Sequence, residues 1–513
     1  MRVDDHLDAI VAAATPAWRT PGAAGGAIAL FTGDRITRAW CLGLADIESA
    51  RGWTLDTPTR LASLSKHVTA AAVFAQGLAG RLGTWLPELQ PALADTTLDR
   101  ALTMTSGIPD LGETLGLAGI STTLSLDAAR LHALACRIAH LNFPPGAEIS
   151  YSNTNFRLAQ RAVERAAAMP LARWLEEAFF RPLGLASFAL PDDQAECVPG
   201  LAQGYWHAGG MARRGAYGLH YSGSGGMVAS ARDFVRWLDA LLHGAGPLAG
   251  ILSRLAVPGR LADGRPVGYA QGLMLHRLGG QDLIGHAGSL PGHKNHFLLD
   301  PRTGAGALVF SNREETAAQT LALDLFAAAQ GLDRRRVAPT AMPTGLFVDP
   351  ATGDTLDLAQ GPGGASAAFL GTAEALHVAP EDGRFASDAP HLPIRIVPAA
   401  PEAMRLTASI GGGADRLWLR ADAVADPAHA GRFACAALDV THAILADGAG
   451  LALRWGGGPV PAVAQSLRPG LAGSYAVATP PVGPWRQMPA LRMTAEGFIL
   501  SSNRSRRWCF ARL

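Results

Sequence analysis

The feature that most limits how this chain can fold is a change of texture at residues 331 to 345, GLDRRRVAPTAMPTG, a charged segment with two prolines. Before it, apolar stretches long enough for helices alternate with a few extended segments. After it come short strand-like pieces such as GLFVDP, TLDLAQ, LPIRIV, RLWLRA, GRFACAALD, LALRW and FILSS, separated by Gly, Pro and Asp. Breakers at that spacing leave no room for helices and favour small all-β modules. A Pro-bearing, charged stretch between two textures reads as a domain boundary. At 513 residues the chain also exceeds what one ordinary core accommodates. AVADPAHAGRF at 423 to 433 divides the tail again, so the expected units are 1–332, 340–423 and 428–513.

Within the first unit, GGAIALFTGDRI and ITRAWCLGLADI read as two strands joined at a Gly-Asp turn, following a short helix at about 4 to 15. Helices are expected near 66–80, 126–138, 156–180, 231–243 and 314–330, and strands near 271–276, 283–286, 295–299 and 305–311. A hairpin, a helical middle and late strands able to close the same sheet make a mixed α+β domain.

Composition excludes several classes. With 48% hydrophobic and 17% charged residues the chain has material for a globular interior, and a net charge of +1 gives no basic footprint for nucleic acid. The cysteines at 41, 136, 197, 435 and 509 show neither a disulfide framework nor metal-ligand spacing, and buried small hydrophobes are the expectation. The acidic N-terminus MRVDDHLDAIVAAATP lacks the apolar core of a secretion signal, and no run of about 18 apolar residues occurs, so a soluble cytoplasmic protein without membrane contact is expected.

Lysine occurs only at 66 and 294, although Lys and Arg together number 44. Lys66 lies three residues after Ser63, a spacing that puts both side chains on one helix face. A lysine whose pKa falls from about 10.4 toward 7 or 8 can serve as a base, which a guanidinium cannot. In FPPGAEISYSNTNFRLAQ, residues 143 to 160, a PPG turn and a following amphipathic helix anchor Tyr151 and Asn153 between them. Tyr151 there can act on a serine proton as tyrosinate or protonate a leaving amine as the neutral phenol. In LIGHAGSLPGHKNHFLLD, residues 283 to 300, His286 ends a short strand and Gly288 permits close backbone approach. The backbone N–H of Ser289, with that of Ser63, is a candidate oxyanion hole. His286, His293 and His296 do not reproduce a zinc-protease helix, since no glutamate follows the first histidine; no metal and no cofactor are expected.

Taken together and in order, Ser63-Leu64-Ser65-Lys66, Tyr151-Ser152-Asn153 and His286-Ala287-Gly288 resemble the three motifs of the serine β-lactamase and penicillin-binding-protein superfamily, in its class C and D-aminopeptidase branch (peptidase S12). TMTSG at 103–107, RPLGL at 181–185 and GSGGMVASARDFVRW at 223–237 are similar to its supporting text. The resemblance covers roughly residues 20 to 330, and with the β-rich tail it extends to the three-domain D-aminopeptidases. It implies an antiparallel sheet with helices followed by two small antiparallel β-barrels. It also implies a catalytic set of Ser63, Lys66, Tyr151, Asn153, His286, Gly288 and Ser289, with His286 orienting substrate or tuning the electrostatics. Release of N-terminal D-amino acids from small amides or short peptides, and a homodimer, are further implications. An esterase or β-lactam hydrolase using the same residues, and a non-catalytic penicillin-binding-like protein, are the alternatives. The family's last barrel sends a loop into the cleft, for which RWGGGPVP at 454–461 is the candidate. The substrate's free ammonium needs a polar partner, and Asn153, Asn155, Ser222 and Ser224 are those the sequence offers.

Overall fold

The computed structural model describes residues 3–334, 336–361, 363–448, 450–456, 464–478 and 488–513. Its first part is built on a six-stranded antiparallel sheet of β1 (Gly26–Thr32), β2 (Arg35–Leu42), β3 (Met274–Leu278), β4 (Gln281–Leu290), β5 (His293–Leu299) and β6 (Ala305–Ser311). The order across the sheet is β2-β1-β6-β5-β4-β3, so the opening hairpin pairs with the last strand and the helical middle sits between the two halves of the sheet in sequence. β5 and β6 are buried almost throughout because both faces are covered. One face carries the helices α1 (Val3–Ala14) and α6 (Ala318–Ala329), and the other carries the large helical core.

At the centre of that core lies α2 (Ser65–Ala75), in which every residue from Ser65 to Val73 is buried. A helix covered on all sides needs no polar face, so its sequence KHVTAAAVF lacks amphipathic contrast. Against it pack α4 (Asn153–Ala167) and α5 (Ala231–His243), which runs from a Ser230 cap to a left-handed Gly244, while α3 (Leu111–Leu117), capped by Asp110, packs on α4. The single helix expected over 156–180 is instead interrupted: Ala168 is left-handed at φ 53°, Pro170 follows, and a new helix starts at Leu171. His286, expected at a strand end, lies inside the ten-residue β4, which continues to Leu290 because its pairing with β5 extends beyond its pairing with β3.

The tail forms two closed eight-stranded antiparallel barrels, spanning Gly345 to Arg420 and Gly431 to Arg512. Closure pairs the first strand of each with its last and removes the exposed edges that such short strands would otherwise present. The cysteines depart from expectation. Cys435 is buried, whereas Cys41, Cys197 and Cys509 are exposed and Cys136 is half-buried, all five as free thiols. No helix among the described residues is long and apolar enough to cross a membrane.

Candidate active site

Ser63 sits in a single 3₁₀ turn, Ala62–Leu64, immediately before α2. Ala62 is left-handed at φ 53°, a conformation that costs a non-glycine residue about 1 kcal/mol or more and here turns the chain sharply into the helix. The turn is clamped from the other side by β4. A Cβ on Gly288 would lie 2.5 Å from the Leu61 carbonyl and 2.8 Å from a Leu64 methyl, so only glycine lets the strand approach the serine turn this closely. β3 stops pairing with β4 at Gly285, leaving the stretch of β4 that carries Ala287, Gly288 and Ser289 open toward the cleft.

Lys66 is fully buried, and its Nζ lies 3.0 Å from Ser63 Oγ and 2.8 Å from Asn153 Oδ1, with the Ser224 carbonyl as a third close contact. Asn153 Nδ2 donates to Asp110 Oδ2 at 3.0 Å, which fixes the amide so that its oxygen faces the lysine. Two of the three lysine contacts are therefore pure acceptors. A neutral amine has two N–H groups for them and one lone pair, and the lone pair is left facing the Ser63 hydroxyl. Burial drives the Lys66 pKa well below its ordinary value; the Asp110 charge opposes this, while the Arg504 and Arg157 charges add to it.

The Tyr151 ring packs 4.7 Å from Lys66 Nζ, and its hydroxyl hydrogen-bonds to Ser63. Burial raises the Tyr151 pKa far above the ordinary phenol value, more than the Ser63 hydrogen bond and Arg504 lower it. Of the two groups whose roles the sequence leaves open, the lysine is thus held toward its neutral, basic form and the tyrosine toward its protonated form.

His286 does not line the cleft. It is fully buried, with Nδ1 against the Ala287 carbonyl and Nε2 2.8 Å from the Tyr269 hydroxyl; since a carbonyl can only accept, Nδ1 carries the proton and Nε2 accepts from Tyr269. Tyr269 in turn meets the Tyr151 ring edge-to-face at 6.2 Å, and the His286 ring itself lies 6.2 Å from that of Tyr151, so His286 reaches the site both directly and through Tyr269. Ser289 lines the cleft, its hydroxyl 2.6 Å from Lys294 Nζ. His293 contacts Thr59 at 3.3 Å, and His296 is buried with neither ring nitrogen hydrogen-bonded.

The cleft encloses about 640 Å³. Besides the expected residues it is lined by several that the sequence reading did not single out: Asp110, Glu113, Arg157, Tyr217, Tyr221, His391 and Arg504. Asp110 and Glu113 stood in plain view as a cap residue followed three positions later by Glu, but the pattern announces only a helix start. His391 and Arg504 carry no local signal at all. Arg504 comes from the turn between the last two strands of the second barrel, and its Nε lies 2.5 Å from Glu113 Oε1. The same turn is fastened by Asp110 N–H to the Arg504 carbonyl at 2.8 Å, by Ser502 to Glu113 at 2.6 Å and by Thr114 to Ser505 at 2.7 Å. Among the described residues of the second barrel, this turn reaches the cleft through Arg504; of RWGGGPVP at 454–461, residues 457–461 lie outside the described residues. From the first barrel, Thr372 and His391 complete the wall, the His391 ring standing edge-on to Tyr151 at 5.7 Å.

The residues considered for an ammonium fare differently. Asn155 is buried against Ser106 at 2.8 Å, Asn153 is committed to Lys66 and Asp110, and Ser222 and Ser224 line the cleft while bonding each other at 2.7 Å.

A family model described as Beta-lactamase matches residues 5–332. The chain is 28% identical to a D-aminopeptidase of Brucella canis over 387 residues, 71% of each protein, and 27% identical to the D-aminopeptidase of Brucella anthropi over 369 residues, 68% of each. Among solved structures, an octameric penicillin-binding protein homologue from Pyrococcus abyssi superposes with a TM-score of 0.58 at 17% identity, covering 82% of this chain and 100% of that one. The D-amino acid amidase of Ochrobactrum anthropi SV3, complexed with D-phenylalanine, gives 0.52 at 21% identity, covering 64% and 99%. At these identities the two structures speak to the fold.

Proposed function

This chain belongs to the β-lactamase family, and from that premise we propose that it is a serine hydrolase releasing N-terminal D-amino acids from D-amino-acid amides and short peptides through an acyl-enzyme on Ser63. The observation that carries the reading is the Lys66 amine, 3.0 Å from Ser63 Oγ and fully buried, since that burial drives its pKa well below the ordinary value. The D-aminopeptidase relatives, aligned over 71% of the chain, support the substrate class.

In this mechanism Lys66 takes the Ser63 proton as Oγ attacks the amide carbonyl. The developing oxyanion is held by backbone N–H groups of Ser63 and Ser289. As the tetrahedral intermediate collapses, the C–N bond breaks and Tyr151, hydrogen-bonded to Ser63 and held protonated by burial, gives its proton to the leaving amine. Lys66, carrying the serine proton, restores the tyrosine. Water then attacks the ester carbonyl with Lys66 again as base, releasing the acid and returning the proton to Ser63. Asn153 holds the lysine, Gly288 admits β4 to the nucleophile turn, and His286 steadies Tyr151 both by direct ring packing and through Tyr269. Asp110, which accepts only from neutral donors among the described residues, supplies the acidic group that a substrate with a free ammonium requires. A cytoplasmic homodimer remains the expected setting, measurable by fractionation and light scattering.

The test is steady-state hydrolysis of D-alaninamide and L-alaninamide side by side, with Ser63→Ala as the blank. Strong D preference abolished by the substitution is the expected result. Turnover of p-nitrophenyl esters with neither amide hydrolysed would reassign the same serine to an esterase, and turnover surviving Ser63→Ala would overturn the mechanism.

A further inference from the structure

The charged side chains lining the cleft do not all find partners inside the protein. Three are acidic, Asp110, Glu113 and Glu314, and three are basic, Arg157, Lys294 and Arg504. Glu314 pairs with Lys294 at 2.7 Å and Glu113 with Arg504 at 2.5 Å, so four of the charges are internally matched. Asp110 is met only by neutral donors, the Glu113 N–H at 3.1 Å and the Asn153 N–H and Nδ2 at 2.7 and 3.0 Å. Arg157 is met only by neutral groups, the His220 carbonyl at 2.7 Å and the Tyr217 side chain, and it makes no ion pair among the described residues. A half-buried guanidinium facing a cleft with no carboxylate of its own leaves a site for an anion.

Its position says where on a substrate that anion belongs. Arg157 follows Asn153 by four residues on α4, so the two project from the same helix face, one turn or about 5.4 Å apart. Asn153 and Arg157, with Tyr151 just before the helix, line the same cleft as Ser63, and Tyr151 is the group that protonates the leaving amine in the proposed mechanism. A leaving group extends by about 3.5 Å per residue, so a carboxylate one or two residues beyond the scissile carbonyl falls within reach of the long arginine side chain. Arginine suits this task because its planar fork binds both oxygens of a carboxylate at once.

We propose that Arg157 receives the C-terminal carboxylate of the leaving group, so that the preferred substrates are di- and tripeptides with an N-terminal D-residue and a free C-terminus. The assignment rests on the serine-hydrolase reading. A simple amide such as D-alaninamide leaves Arg157 unmatched and is the poorer substrate. A bound carboxylate also neutralises a cation that helps to disfavour the Lys66 ammonium, which ties substrate recognition to the state of the base.

The experiment compares kcat/KM for D-Ala-Gly with that for its C-terminally amidated form, D-Ala-Gly-NH₂, in the full chain. The wild type is expected to favour the free acid by about tenfold to a hundredfold, mainly through KM. Arg157→Gln is expected to bring that ratio close to one, and Arg157→Lys to recover part of it. A wild-type ratio near one overturns the assignment, as does Arg157→Gln lowering both substrates equally, the outcome for an arginine that merely braces Tyr217 and the His220 carbonyl. D-alaninamide in the same assay separates the two layers. Its turnover without a carboxylate preference sinks only the Arg157 assignment, whereas no hydrolysis of any of the three substrates sinks the hydrolase reading and the assignment with it.

Discussion

The two walls of the cleft are built on opposite plans. The wall from the sheet-and-helix domain brings Ser63, Lys66, Tyr151 and Asn153 into direct contact, with the lysine and tyrosine buried and both biased toward neutral forms. The wall from the barrels brings single side chains on turns, Arg504 and His391, that reach over the same tyrosine at 5.8 and 5.7 Å without bonding to the nucleophile. One wall contains groups able to make and break bonds. The other sets the charge and shape of the space in which they work. The candidate catalytic groups and the far side of the cleft are thus carried by different parts of the chain, joined through the Glu113–Arg504 pair and the neighbouring Ser502 and Ser505 bonds.

The comparison breaks most visibly at Lys66. If a neutral amine is what the first wall provides, Lys66→Arg keeps the charge and the approximate size yet lowers kcat/KM by about 10³-fold, because a guanidinium stays protonated. Near wild-type turnover in that variant would remove the base assignment.

A more moderate effect separates the contributions of the two walls to the same pKa. The active form carries unprotonated Lys66, so kcat/KM rises with pH through the lysine's depressed pKa. Asp110, from the first wall, raises that pKa, and Arg504, from the second, lowers it. Asp110→Asn should therefore move the acidic limb of the profile to lower pH. Arg504→Gln should move it to higher pH, an effect reinforced by the Glu113 charge left behind. Shifts of the same sign in both variants would contradict this division. Because Glu113 is buried and Arg504 partly exposed, Arg504→Gln should also cost about 2–3 kcal/mol, readable as a lower midpoint in urea.

The smallest effect is expected at His391, whose pKa burial lowers to about 4, leaving the ring uncharged at neutral pH. His391→Ala should change kcat/KM for small amides by no more than about tenfold while broadening the range of substrates accepted. A loss comparable to that of Lys66→Arg would place a barrel residue among the groups doing the chemistry and erase the contrast between the walls.

Much of the first wall was legible in the sequence because each of its parts is local. Ser63 and Lys66 are three residues apart, Tyr151 and Asn153 share one anchored loop, and helix periodicity and turn residues place both. The mixed sheet-and-helix domain and the all-β tail were legible for the same reason, from alternation and from breakers at short intervals, whereas the two barrels were implied by the family resemblance. Helix ends were less so. The expected 156–180 helix breaks because Ala168 adopts a left-handed cap that alanine's own preferences do not announce. The exposed Cys41, Cys197 and Cys509 show that composition alone does not say which face of an element meets water.

His286 marks the limit from the other side. Its motif was visible, but strand register turns it away from the cleft and onto Tyr269. Arg504 and His391 lie far along the chain from Tyr151, and their neighbours in sequence give no hint of it. By itself, then, the sequence determined which residues are the candidates for nucleophile, base and acid, since Ser63 and Lys66 share one helix turn and Tyr151 sits in a loop anchored by its own neighbours. Only the tertiary structure decided which charges face the substrate. Burial and pairing are properties of surfaces brought together by packing, and two barrels folded against a distant helix put charges in contact that no local pattern connects.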